Sequence, residues 1–178
     1  MTKVTFEMDS TAIIGVGLMC GTSQDGLDLA VVKFTPNSSR FDFEILLTKA
    51  FEIPSELALA LKLGEHLNGL ELSLLNNAVG RFFGDCVNQA LAKTECKPDF
   101  VASHGITIFH QPEHKLTLQI GSGAEIAAIT KLKTICDFRT IDVAVGGNGA
   151  PLVPFADSLL FGDYDFTLNL GGFANIAS

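Results

Sequence analysis

The sequence has no tryptophan, a single tyrosine, and no pair of cysteines at metal-ligand or redox spacing. It also has no run of lysine or arginine: 12 basic residues stand against 20 acidic ones, a formal charge of −8. Each absence excludes something. Without tryptophan there is no exposed-Trp platform for carbohydrate, and the 14 phenylalanines read as apolar packing rather than as a base-stacking surface. Without a basic patch, nucleic acid and anionic membrane surfaces are disfavoured as partners. A small anionic ligand stays open, because backbone amides bind phosphate without net positive charge. Cys20, Cys86, Cys96 and Cys136 lack the density of a secreted disulfide scaffold, so reduced cysteines in a cytoplasmic protein are expected. Cys20 reads as a small buried residue rather than a reactive thiol. The apolar stretch AIIGVGLMC (residues 12–20) is far short of a membrane span. Glu7 and Asp9 sit where a signal sequence needs positive charge, and Met19 before Cys20 does not suit a lipoprotein anchor.

What is present suits a folded core. Hydrophobic residues make up 47%, charged residues 18%, and mean hydropathy is +0.34 over 178 residues, enough for one domain or slightly more. Strand-like patterns cover residues 12–19, 27–34 and 41–49, with the turn cluster PNSSR at 36–40, which predicts an antiparallel meander. Residues 54–95 contain no strand-like run. Ser55 is placed to cap a helix with Leu57, Ala60 and Leu61 inward, and LNGLE breaks it. Leu72, Leu75, Val79, Phe82, Phe83, Cys86, Val87 and Leu91 then recur at helical spacing. Further strands are expected at 100–103, 116–120 and 133–137, helices at 121–130 and 156–161, and a packed loop at 137–154. Residues 166–176 read as strand, glycine turn, strand. A meander passing into βα units excludes all-α and all-β classes.

The stretch GLMCGTSQDGLDLAVVKF (17–34) poses the main chemical question. Its bend is about eight residues long where a hairpin needs two. Gly21 and Gly26 let main-chain N–H groups approach a ligand, Thr22 and Ser23 add hydroxyls, and Asp25 and Asp28 could hold magnesium through water. A wide polar hairpin with an Asp-Gly turn accounts for the same residues. The stretch is neither a Walker A motif nor a dinucleotide fingerprint. SHGIT (103–107) follows a strand, and His104 there is either a ligand contact or a structural histidine. His110 and His114 lack the glutamate and the helix of a zincin site. In DFRTID (137–142), Arg139 offers a fork for carboxylate or phosphate, or pairs internally with Asp137 or Asp142. GGNGAP (146–151) is a tight loop that forms a pocket wall or a plain connection. No Ser-His-Asp or Cys-His arrangement stands out, and strand-end sites beside a magnesium-compatible loop lean towards phosphoryl transfer.

Taken together, GLMCGTSQDGLDLA, SHGITIFHQP, TLQIGSGAEIA, DFRTIDVAVGGNGAPLVP and LNLGGFANIAS resemble, in this order, segments of the bacterial anhydro-N-acetylmuramic acid kinase family. The resemblance implies an α/β fold of the actin-like ATPase (ribonuclease H-like) superfamily: a mixed sheet with an antiparallel meander, then βα units and flanking helices. It implies a first lobe over residues 1–164 and the start of a second over 165–178. The implied reaction uses ATP, Mg2+ and water to open 1,6-anhydro-N-acetylmuramic acid and phosphorylate O6, in peptidoglycan recycling. Carried over, Gly21, Thr22, Ser23, Gln24, Asp25, Gly26, Leu27 and Asp28 become the ATP phosphate loop, with Asp25 and Asp28 near the metal. His104, Thr107, Arg139 and Asp142 fall near the amino sugar, and Gly147 and Pro151 belong to the loop shaping the cleft. Cys20 and Ile106 depart from the family's usual Ser and Gln, and Ile106 is expected to remove a polar group from the sugar site. The family's DTGPGN segment, whose Asp activates water, does not occur in this sequence. The expectation is therefore an incomplete kinase lobe that does not turn over alone and whose strand edges permit self-association as a homodimer. Rival readings are another sugar or acyl phosphotransferase of the superfamily, or a non-catalytic sugar- or nucleotide-binding module.

Overall fold

A computed structural model describes residues 11–21, 26–37, 40–170 and 174–177. The apolar alternation after residue 12 forms β1 (Ile13–Met19), β2 (Leu27–Asn37) and β3 (Arg40–Phe51), paired antiparallel in sequence. β2 and β3 run longer than the pattern predicts, and β1 begins one residue later. Pro36 and Asn37, expected in a turn, still pair with Phe41 and Arg40. The proline is tolerated because β1 pairs with β2 no further than Phe34, which leaves one side of β2 without a ladder.

Helix α1 (Ser55–Lys62) begins after an extended Pro54, so Ser55 is its first residue and not its cap. Helix α2 (Gly69–Leu91) is capped by Asn68, whose Oδ1 accepts from the N–H groups of Leu70 and Glu71 while the Glu71 carboxylate accepts from the Asn68 N–H. The LNGLE break is thus also the start signal of the next helix. Strand β4 (Phe100–Ser103) leads into the hairpin β5 (Ile106–Gln111) and β6 (Leu116–Ile120). Helix α3 (Gly123–Thr130) starts two residues later than expected, because Ser122 caps it by accepting from the Glu125 N–H. Strand β7 (Lys133–Cys136) follows. Helix α4 (Thr140–Ala144) occupies part of the predicted loop; five residues are too few for an apolar period to reveal. Helix α5 (Val153–Leu160) begins three residues early, with Pro154 in the first turn where its missing N–H costs nothing. The hairpin β8 (Thr167–Leu170) and β9 (Ala174–Ala177) forms a separate two-stranded sheet.

The main sheet has the order β3-β2-β1-β4-β7, antiparallel through the meander and parallel across β1, β4 and β7. This is the mixed α/β sheet that the resemblance implies. One face is packed: Val16, Leu18, Leu27, Leu29, Val31 and Val101 are buried in one cluster with Val79, Phe83 and Val87 of α2 and Ile106, Ile108 and Ile120 of the β5–β6 hairpin. Each such side chain contributes roughly 1.5–3 kcal/mol by leaving water. The other face carries Gly17, Met19, Asp28, Ala30 and Ala102, and Met19 is exposed. Small residues on that face leave the room in which the site is built.

Candidate functional site

Because β1, β4 and β7 are parallel, their carboxyl ends emerge at one edge, where α/β sheets place ligand groups. His104 follows β4, and its N–H donates to the Leu18 carbonyl at 3.2 Å, which extends the ladder by one residue. Gly105 then turns the chain into β5 at φ +76°; a Cβ there would stand 2.6 Å from the Ile120 carbonyl oxygen. Only glycine meets both demands.

Across the edge, Arg139 follows β7. Its Nε–H donates to Nε2 of His104 at 2.9 Å, and its Nη1 donates to the Gly149 carbonyl. Arginine can only donate, so Nε2 of His104 must accept and the ring proton must sit on Nδ1. Nδ1 lies 3.0 Å from the Gly105 carbonyl, the acceptor for that proton. The imidazole is therefore neutral and fixed in one tautomer. Burial lowers its pKa, the neighbouring Arg139 charge acts in the same direction, and the Gly105 carbonyl opposes them. Burial likewise disfavours the charge on Arg139. Yet among the described residues no carboxylate forms an ion pair with this guanidinium. The internal pairing with Asp137 or Asp142 considered from sequence does not form.

Asp142 is committed elsewhere. Its Oδ2 accepts from the Gly149 N–H at 2.7 Å, and its carbonyl accepts from the Gly147 N–H at 2.7 Å. Asp142 thus folds the 146–151 loop, which holds Gly147 and ends at a cis Ala150–Pro151 bond, against Arg139. Thr107 stands apart on β5 opposite Gln119, whose amide donates to it weakly at 3.4 Å.

A cleft of about 600 Å³ opens on the uncovered face of the sheet, lined by Gly17, Met19, Asp28, Ala30, Thr48, Ala102, His104 and Phe138 among others. Of the residues assigned to a phosphate loop, Asp28 lies in this wall, and the Leu27 side chain belongs to the core. Thr22, Ser23, Gln24 and Asp25 lie outside the described residues, and Gly21 and Gly26 flank them. Among the described residues no three His, Cys, Asp or Glu side chains are grouped to hold a metal. Ile106 differs from expectation: its side chain is 2% exposed in the core, so this departure removes nothing from the cleft wall. Cys20 is buried, as expected. The Cys86 thiol is pushed up to about 12 by burial and then by Asp85. Sequence reasoning missed Phe138 as a wall of this cleft, and did not single out Ser103 or Gln119, which line a smaller cavity beside His104. Each sits inside a quoted segment, yet none is a residue type that announces a ligand.

A family model for anhydro-N-acetylmuramic acid kinase matches residues 13–178. Proteins of that name share comparable identity: 39% over 170 residues in Picosynechococcus sp., 41% over 172 in Photobacterium profundum and 40% over 172 in Coxiella burnetii. Each alignment covers 90% of this chain and 45% of the relative. The chain spans just under half the length of the curated relatives it matches.

Proposed function

The chain belongs to the anhydro-N-acetylmuramic acid kinase family, and from that premise we propose that it is the sugar-facing lobe of an ATP-dependent kinase. The whole polypeptide would open 1,6-anhydro-N-acetylmuramic acid with water and phosphorylate O6, in the cytoplasm, as a step of peptidoglycan recycling. Residues 1–164 would form the first lobe and 165–178 begin the second. Among the described residues no helix is long and apolar enough to cross a membrane.

The observation that carries this reading is Arg139: a partly buried guanidinium aimed by His104, with no carboxylate partner among the described residues. Such a group is stabilised by an arriving anion. The lactyl carboxylate of a muramic acid supplies one. His104 is then a positioning residue and not the base, because Arg139 already uses its Nε2 lone pair. Asp142 holds the Gly149 carbonyl in place for Arg139, and the base that activates water is expected outside these 178 residues.

Asp28 fits a magnesium–nucleotide: magnesium keeps much of its water and takes one or two protein carboxylates. When bound, the nucleotide supplies the phosphoryl group and the metal offsets its charge. Asp28, with the backbone of Gly21 and Gly26, would hold that end of the cleft.

The test is product formation from 1,6-anhydro-N-acetylmuramic acid with Mg-ATP, comparing this chain with a polypeptide extended beyond Ser178 to the relatives' length. Product only from the extended protein is the expected result. Product from the 178 residues alone would require a base among Asp25, Asp28 and Asp142. Silence from both would overturn the reading in favour of another substrate or a binding role.

A further inference from the structure

On the packed side of the sheet, a groove of about 710 Å³ runs between α1 and α2, with Leu57, Ala60, Leu67, Leu74, Leu75 and Ala78 in its wall. It follows from the helix periods. Leu61 and Leu75 are buried in the core and hold the two helices to it. Leu74 lies about 100° round the helix from Leu75 and is 57% exposed; Leu70, one turn earlier on the same side, is 70% exposed. Alanine at positions 60 and 78 leaves the groove its depth. Single exposed leucines need no explanation, but leucines gathered round one concavity mark a surface for another molecule. Three charged residues complete the wall: Glu56, Glu71 and Arg81. Arg81 Nη1 donates to Oε1 of Glu125 on α3 at 2.9 Å, so its charge is balanced. The Glu71 carboxylate accepts from the Asn68 N–H, and neither Glu56 nor Glu71 forms an ion pair among the described residues. The groove is apolar with uncompensated negative charge.

We propose that this groove docks a basic amphipathic helix of a partner protein, with leucine-type side chains against the apolar wall and lysine or arginine against Glu56 and Glu71. A helix fits better than a strand. The wall is built from two helices whose backbone hydrogen bonds are internal, so side-chain packing is what the groove offers and ladder pairing is not. Charge selects the sign of the occupant: an acidic helix would meet two unpaired carboxylates. A second copy of this chain is a poor complement for the same reason. Helix α1 carries Glu56 against Lys62, α2 carries Glu71 and Asp85 against Arg81, and α3, α4 and α5 carry acid without base. None of the described helices is net basic. The groove shares no residue with the cleft on the other face of the sheet, so docking does not rest on the kinase reading.

The experiment follows the fluorescence anisotropy of a labelled amphipathic peptide of about four helical turns, built from leucine and lysine, and of its leucine–glutamate counterpart. Each is titrated with the polypeptide extended to the relatives' length and with the 178-residue chain. The leucine–lysine peptide should bind both proteins, less tightly as salt rises, and the leucine–glutamate peptide should bind neither. Leu74→Lys and Glu56→Lys should each weaken binding roughly tenfold. Both side chains are exposed, so the melting temperatures of these variants should match the wild type. Glu95→Lys makes the same charge change beyond the far end of α2 and should leave affinity unchanged. An equal loss in Glu95→Lys would reduce the attraction to the net charge of −8 and overturn the proposal. So would binding of both peptides alike, or of neither. Binding by the 178-residue chain but not by the extended polypeptide would show that the rest of the polypeptide fills the groove. Self-association abolished by Leu74→Lys would assign the groove to a second copy. Either result also overturns the proposal.

Discussion

At the scale of single residues, His104 and Arg139 act as one unit. Burial holds His104 below its ordinary pKa of 6.5, so between its native value and 6.5 the unfolded chain binds more protons than the folded one. Stability is therefore complete above pH 6.5 and declines as pH falls below it. His104→Gln keeps an acceptor for Arg139 and removes the titration. Urea midpoints at pH 7.5 and 5.5 should fall less in this variant than in the wild type; parallel losses would disprove the effect. Arg139→Lys retains the charge but loses the fork that reaches His104 and Gly149 together. In the extended enzyme this variant should raise KM for the anhydro sugar at least tenfold and leave KM for ATP nearly unchanged. An equal rise in both would place Arg139 outside sugar binding. The residue types were legible in SHGIT and DFRTID, but their partnership was not: 35 positions separate them, and only the parallel pairing of β4 with β7 brings them together.

At the scale of elements, the site depends on how closely α2 and α3 approach. Gly80 and Gly84 lie one turn apart on α2, and a Cβ on Gly80 would stand 2.6 Å from the Ser122 carbonyl oxygen. On Gly84 a Cβ would lie 2.9 Å from Cβ of Ile129. Helix propensity alone would make Gly80→Ala stabilising by about 1 kcal/mol. Close packing reverses the sign, and overpacking of this kind costs about 1–3 kcal/mol. Chemical denaturation should show Gly80→Ala less stable than the wild type, and a gain in stability would mean that α3 yields without cost. The same displacement moves Ser122 and Gly121, which wall the cavity beside Ser103. Sequence periodicity identified the inward face of α2 well, including Leu75, Val79, Phe83 and Val87. It could not identify the glycines as contacts, because a missing side chain leaves no apolar signal.

At the scale of the whole molecule, apolar surface is distributed unevenly. The packed face of the sheet holds the core, while Phe166, Leu168, Leu170 and Ile176 around β8 and β9 are each more than 60% exposed. This two-stranded sheet pairs with no other strand among the described residues. Edges with exposed apolar side chains template further pairing. Sedimentation velocity of the 178-residue chain should show association rising with concentration, and Leu168→Lys should suppress it. A monomer at all concentrations would show these edges to be silent.

The sequence by itself determined the mixed α/β class, the meander, the amphipathic face of α2 and the glycine-marked segments near the cleft. All of these are written in local pattern, apolar period or turn chemistry. The tertiary structure alone decided which polar groups meet. It engaged Asp142 with the 146–151 loop, withdrew Ile106 into the core, and, among the described residues, left Arg139 without a carboxylate and the buried oxygens of Ser103 and Gln119 without a partner. Those outcomes depend on strand register and helix approach across dozens of residues, where a shift of one position turns a side chain to the opposite face.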